Sequence, residues 1–157
     1  MATYTDSLGF NKGSAAYPAD SLNKSVRLEI TLDFPAIIAA RAAAGATALA
    51  AADVMEIIPV PAGTIVSNVG MVVTTAAGVT STISIGDGSA AAGYLAATSA
   101  NAAGTSGGVP VLASGAFAPT LSGGKVYAAA DTIDITLGTA VPAAAVVRVF
   151  ALLTDIN

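Results

Sequence analysis

Asp53–Thr75 reads DVMEIIPVPAGTIVSNVGMVVTT, and its punctuation decides the fold. Val54–Val60 is a short β-branched run, Pro61-Ala62-Gly63 is a turn, and Thr64–Thr75 is a longer β-branched run. Such runs, bounded by Pro and Gly, read as strands. Pro59 and Pro61 cannot donate to a ladder, which places this strand at a sheet edge or corner. Gly70 interrupts the second run and marks a bulge or a close backbone approach.

The pattern repeats outward from this stretch. Upstream, Ser25–Phe34 (SVRLEITLDF) alternates strictly. Val26, Leu28, Ile30 and Leu32 take one face, and Arg27, Glu29, Thr31 and Asp33 take the other, as in a half-buried strand. Downstream, STISIG at 81–86 and TIDITL at 132–137 are short strands, and AVVRVFALLT at 145–154 closes the chain. The last strand is apolar on both faces, so it belongs in the middle of a sheet or under a partner. Gly86-Asp87-Gly88 is a tight-turn signal. Residues 90–124 are rich in Ala, Gly, Ser and Thr and read as long loops with one or two short strands.

Only 35–52 reads as helical. Pro35 suits a first helical turn, the alanines favour helix, and Gly45 suits its end. The expectation is an all-β, β-sandwich or jelly-roll-like domain over 25–157, with a helix near 36–44 and a linker inserted at 35–52. Residues 1–24 (MATYTDSLGFNKGSAAYPADSLNK) have no period and read as an irregular, extended N-terminal arm. The arm holds Tyr4, Phe10 and Tyr17, three of the chain's four Tyr and four Phe. Aromatics make good interface anchors. With Ile37 and Ile38 of the helix, they are the candidate partner contacts.

A chain of 157 residues fits one domain, which buries roughly 70% of its unfolded surface. Charged residues are 10% of the chain, against about 25% in ordinary globular proteins. Two readings fit: a surface covered by other subunits, or compositional drift toward Ala and Gly. The six basic residues (Lys12, Lys24, Arg27, Arg41, Lys125 and Arg148) are scattered and the net charge is −4. No basic stripe tracks a phosphate backbone, so direct nucleic-acid binding is not expected. Mean hydropathy is +0.74, but the longest weakly polar stretch, Pro35–Ala52, contains Arg41 and Gly45. A bilayer span needs about 20 predominantly apolar residues. No signal-peptide pattern opens the chain, and the expectation is a soluble, non-secreted protein with no membrane partner.

The inventory also argues against catalysis. There is no Cys and no His, which removes thiolate chemistry, the usual general base and the commonest metal ligand. Two carboxylates suffice for glycoside hydrolysis, but the chain has no Trp for sugar stacking and its other aromatics are dispersed. Gly104–Gly108 (GTSGG) matches G-x-S-x-G in letters only, without the strand and helix that a nucleophile elbow needs. Asp87 stands alone in its turn, and calcium needs several oxygen ligands. No catalytic residue, cofactor or metal site is expected. A weak echo relates Ala51–Ile57 (AADVMEI) to Ala129–Ile135 (AADTIDI). A shared turn geometry explains it, with Asp53 and Asp131 bonding nearby backbone N–H groups.

Several motifs together resemble a known group. They are VPAGT at Val60–Thr64, the Gly86–Gly88 turn, GYL at Gly93–Leu95, YAAADTIDITL at Tyr127–Leu137 and the Val147–Asp155 strand. Over about 53–157 the chain resembles small virion structural proteins of tailed bacteriophages, of the head decoration (cement) type. The resemblance implies a non-enzymatic β-sandwich that binds the major capsid protein shell, self-associates as a homotrimer and lies on the outer capsid surface of the virion, assembled in the host cytoplasm. Its alternatives are a receptor-binding or fibre-tip module, with the 90–124 loops contacting the host, and a neck or tail component. Residues 1–52 lie outside the resemblance.

Overall fold

The computed structural model describes residues 1–4, 8–10, 25–107 and 124–156. Its elements are β1 (Thr3–Tyr4), β2 (Ser25–Asp33), α1 (Phe34–Ala43), β3 (Val54–Val60), β4 (Thr64–Thr75), β5 (Thr82–Asp87), β6 (Ala90–Ser99), β7 (Ser106–Gly107), β8 (Lys125–Tyr127), β9 (Asp131–Leu137) and β10 (Val146–Asp155). They form two sheets, as expected of an all-β chain. One has the order β1-β3-β9-β5-β6; the other has β2-β10-β4, with β7 and β8 both laid along β4. Pairing is antiparallel throughout except between β1 and β3.

Pro61-Ala62-Gly63 carries the chain from the β3 sheet to the β10 sheet. Gly63 adopts φ +73°, a left-handed conformation that glycine reaches without a Cβ penalty. The turn is held from both sides: Gly63 N–H donates to the Tyr127 carbonyl at 2.7 Å, and Ile156 N–H donates to the Gly63 carbonyl at 2.9 Å. Pro59 lies beyond the end of β1, where β3 has no further neighbour on that side among the described residues.

β10 is the middle strand of its sheet, between β2 and β4. Val147, Val149, Ala151 and Leu153 on its inner face are fully buried. They meet Ile30 and Leu32 of β2, Val66, Val69, Met71 and Val73 of β4, and the inner face of the β3 sheet in one core. Fully burying an aliphatic side chain of this size contributes about 1.5–3 kcal/mol. The bulge expected at Gly70 is not there. Gly70 sits in register opposite Phe150, and the register shifts fall between Val146 and Val147 and between Leu152 and Leu153.

The helix runs 34–43, shifted slightly from the expected 36–44, because its caps fix it. The Asp33 side chain accepts from Ala36 N–H at 3.1 Å, and Pro35 lies in the first turn. At the other end Ala46 N–H donates to the Arg41 carbonyl at 2.9 Å and Gly45 N–H to the Ala42 carbonyl at 3.1 Å. These two bonds make a Schellman motif with Gly45 at its left-handed position, φ +63°. A Cβ at Gly45 would meet nothing within 4 Å. The cost of Gly45→Ala is therefore purely conformational. It should lower the unfolding free energy by about 1 kcal/mol, read as a shift in urea midpoint at constant slope.

Two expectations are corrected. Within 90–124, where long loops with one or two short strands were expected, β6 is a strand of ten residues. Alanine is a weak strand former, but the Asp87–Ala90 turn pairs β6 with β5, and Tyr94 and Leu95 are buried. Residues 108–123 lie outside the described residues. At the N-terminus, Thr3 and Tyr4 are not an irregular arm. They form β1, parallel to Val54 and Met55.

Candidate functional site

The N-terminal residues are held by their own chain. The buried Asp53 carboxylate accepts Ala2 N–H at 2.7 Å and Ala50 N–H at 2.8 Å. Burial alone would raise its pKa, but those two amides, with Tyr4, outweigh burial and hold it below the ordinary value. Tyr4 donates its hydroxyl to the Ala48 carbonyl at 3.0 Å. The buried Arg41 guanidinium lies 4.0 Å from the Tyr4 ring centroid, and its Nε donates to the Thr47 carbonyl at 2.8 Å. A Cβ at Gly9 would fall 2.5 Å from the Ile37 Cα, so the segment around Gly9 lies directly on α1.

Of the five candidate partner contacts, Tyr4 and Ile37 are therefore buried inside their own chain. Tyr4 docks on its own chain. Phe10 is half-buried against the core. Ile38 is half-exposed and borders an apolar groove of about 230 Å³ with Ala42, Leu49, Val141 and Ala143. Tyr17 lies outside the described residues.

A polar network that sequence reading missed ties the two sheets together. Asp87, at the end of β5, is buried. Its Oδ1 accepts Ser89 N–H at 2.9 Å, Ser89 Oγ–H at 2.7 Å and Ala90 N–H at 3.1 Å, which builds the turn. Its Oδ2 accepts the Tyr127 hydroxyl at 2.6 Å and pairs with the Lys125 ammonium, both from β8 of the opposite sheet. Tyr94 and Tyr127 share a hydroxyl–hydroxyl bond of 2.5 Å. Burial pushes the Asp87 carboxyl up, and the Lys125, Tyr127 and Ser89 bonds outweigh it and hold the pKa low. Burial pushes both tyrosines well above the ordinary phenol value. The turn expected at Asp87 is there, but the residue does not stand alone. The available signal was the Lys125-x-Tyr127 spacing, which puts both side chains on one face of a strand.

Lys125 Nζ also lies 3.0 Å from Ser89 Oγ, the separation of a Ser–Lys dyad. A dyad needs the lysine as base toward the serine. Here ammonium and hydroxyl both donate to the same buried carboxylate, an arrangement that fixes a turn. Ser106 of the GTSGG stretch lies in β7 opposite Val72, on a sheet ladder.

On the outer face of the β3 sheet lies a cavity of about 280 Å³, with Glu56, Thr132, Asp134 and Thr136 on its floor and Met1, Thr3 and the Gly88–Ala91 turn at its walls. The two halves of the sequence echo pair with each other here. β3 and β9 run antiparallel, and Glu56 stands directly opposite Asp134. Asp134 is 5% exposed. Its pKa is pushed up to about 6, first by burial and then by the charges of Glu56, Asp131 and Asp87, against a 2.6 Å bond from Thr132 Oγ1. Asp131 bonds Thr132 N–H at 2.9 Å, the local turn role expected of it. Among the described residues, no three carboxylates are grouped so as to hold a metal ion. No helix among them is long and apolar enough to cross a membrane.

The fold is similar to that of phage capsid chains. In the capsid of Ralstonia phage GP4, one chain superposes with a TM-score of 0.53 at 15% identity, over 90% of this chain and 91% of that one. In the capsid asymmetric unit of cyanophage Pam1, another does so with a TM-score of 0.51 at 17% identity, over 90% and 93%. The likeness is one of fold, and near-complete coverage in both directions makes it a likeness of whole chains. No protein-family model matches the chain, and no curated protein does.

Proposed function

We propose that this chain is a non-enzymatic structural protein of a tailed-phage virion, a capsid decoration protein that binds the shell of major capsid protein from outside and stabilises it. One observation carries the reading: the two-sheet fold is similar, over 90% of this chain, to chains found in two phage capsids. The polar side chains support the same reading, because Asp53, Asp87, Lys125 and Tyr127 hold segments of the fold together. In this role the protein adds buried apolar area and strand pairing across joints between capsomers. Each contact is weak, and many copies on one particle add up through multivalency.

The test is direct. Expanded capsids lacking the protein are mixed with the purified chain, and their heat-disruption temperature is followed by light scattering. Saturable binding and a disruption temperature raised by several degrees are expected. Unchanged capsids, combined with binding to host cells, would replace this reading with a receptor-binding one. Labelling confined to the neck or tail in electron micrographs would replace it with a connector role.

A further inference from the structure

The free edges of the two sheets differ. β6, at one edge of the β3 sheet, has two register breaks against β5, and such bulges blunt an edge. β1, at the other edge, is two residues long. β2 is unlike both. It runs nine residues, Ser25 to Asp33, and pairs with β10 from end to end without a register break. Its far side carries no further strand among the described residues, so it presents a long, regular row of backbone donors and acceptors. Val26 and Leu28 on its inner face are only half-buried, whereas Ile30 and Leu32 further along are buried. Among the described residues the edge is thus open in hydrogen bonds and incompletely covered in apolar area.

Its charges say what fits there. Arg27 and Glu29 flank Leu28 and share the outer face, with side chains 61% and 33% exposed. We propose that β2 pairs with β2 of a second copy of this chain, antiparallel, about a two-fold axis passing beside Leu28. In that register Arg27 faces the second copy's Glu29, and its Arg27 faces Glu29. Leu28 faces its own counterpart, and Val26 faces Ile30. Arg-Leu-Glu is self-complementary under this operation, and the identical patch serves both subunits, as a two-fold contact requires. Shifting the axis to Arg27 or to Glu29 opposes like charges directly, which is unfavourable. The exposed ion pairs therefore fix register more than they add affinity. The strand ladder and the covered Leu28 and Val26 supply the attraction. Glu29 already accepts from Arg148 on β10, so the pairing extends that line of charge across the axis. The two β10 sheets become one continuous sheet. This inference does not depend on the virion reading, because it concerns the free chain.

The expected assembly in solution is a dimer of the 15.1 kDa chain, seen by sedimentation at tens of micromolar. Arg27→Glu and Glu29→Arg, each alone, place like charges opposite one another twice and should raise the dimer dissociation constant by about tenfold or more. Combining them restores opposite charges and should restore the dimer. Circular dichroism checks that each variant stays folded. The chain has no cysteine, so Leu28→Cys gives a clean second readout. Side chains directly opposed across an antiparallel pair have Cβ atoms about 4.5–5.5 Å apart, and mild oxidation should lock the dimer covalently. Thr31→Cys places its two thiols about 20 Å apart and should not lock it. A monomer at these concentrations, a trimer, a dimer indifferent to Arg27→Glu, or locking by Thr31→Cys in preference to Leu28→Cys would each overturn the proposal.

Discussion

Replacing Asp87 with alanine should lower the unfolding free energy by about 3–5 kcal/mol, the range found when one partner of a buried ion pair is removed. The size follows from what the carboxylate holds. One oxygen organises the Gly88-Ser89 turn through three bonds; the other accepts from Tyr127 and Lys125 on the opposite sheet. Alanine takes that acceptor from the buried Tyr127 hydroxyl and removes the carboxylate beside the Lys125 ammonium, which is 19% exposed. It also frees the β5–β6 turn from the sheet it faces. The measurement is a urea titration at fixed protein concentration, with a lowered midpoint at unchanged slope. The pH dependence has a fixed sign. The Asp87 pKa is held low in the fold, so its stabilisation is complete above the unfolded carboxyl pKa of about 3.9 and is lost as pH falls through the lower folded value. The difference between wild type and Asp87→Ala should be full at pH 7 and shrink in acid. Asp87→Asn should cost less, because its side-chain oxygen can still serve the turn. An Asp87→Ala variant within 1 kcal/mol of wild type at pH 7 would show that the network contributes little to holding the sheets together.

This network also marks the limit of what the sequence reveals. β2 and β9 were legible because β-branched and apolar residues alternate with polar ones over whole strands, β10 because almost its whole run is β-branched and apolar, and the helix because Pro35, the alanines and Gly45 act within a few residues. β6 was not, because an alanine-rich strand carries no period and owes its existence to pairing with β5. Asp87 meets Tyr127 forty residues away in sequence, so nothing local announces the contact. The echo around Asp53 and Asp131 was visible, and both aspartates do bond nearby backbone amides. Its further consequence, Glu56 facing Asp134, depends on the register break between Glu56 and Ile58. A slip of one residue would have sent these carboxylates to opposite faces.

That facing pair gives the opposite result from Asp87: removing a carboxylate should stabilise the protein. Asp134→Asn should raise the unfolding free energy by about 2–3 kcal/mol at pH 8, from a shift of roughly two pKa units at 1.36 kcal/mol each. The Asp134 pKa is pushed up to about 6 in the fold, against about 3.9 unfolded. Between these values the folded state holds the proton more tightly. Wild-type stability therefore falls as pH rises from about 4 to about 6, and the cost is complete above that window. Asparagine keeps an oxygen for the Thr132 hydroxyl bond and removes the charge facing Glu56 of β3, Asp131 of β9 and Asp87 of β5. Urea midpoints at pH 4, 6 and 8 should show the two proteins converging at the lowest pH and the variant ahead at the highest. Asp53 and Asp87 titrate below this window because their pKa values are held low, so the difference between variant and wild type isolates Asp134. Glu56→Gln should reproduce part of the gain, since Glu56 contributes less to the shift than burial does. A wild type that equals or exceeds Asp134→Asn at pH 8 would refute the account, because a buried carboxylate opposite another carboxylate should be a net cost to the fold.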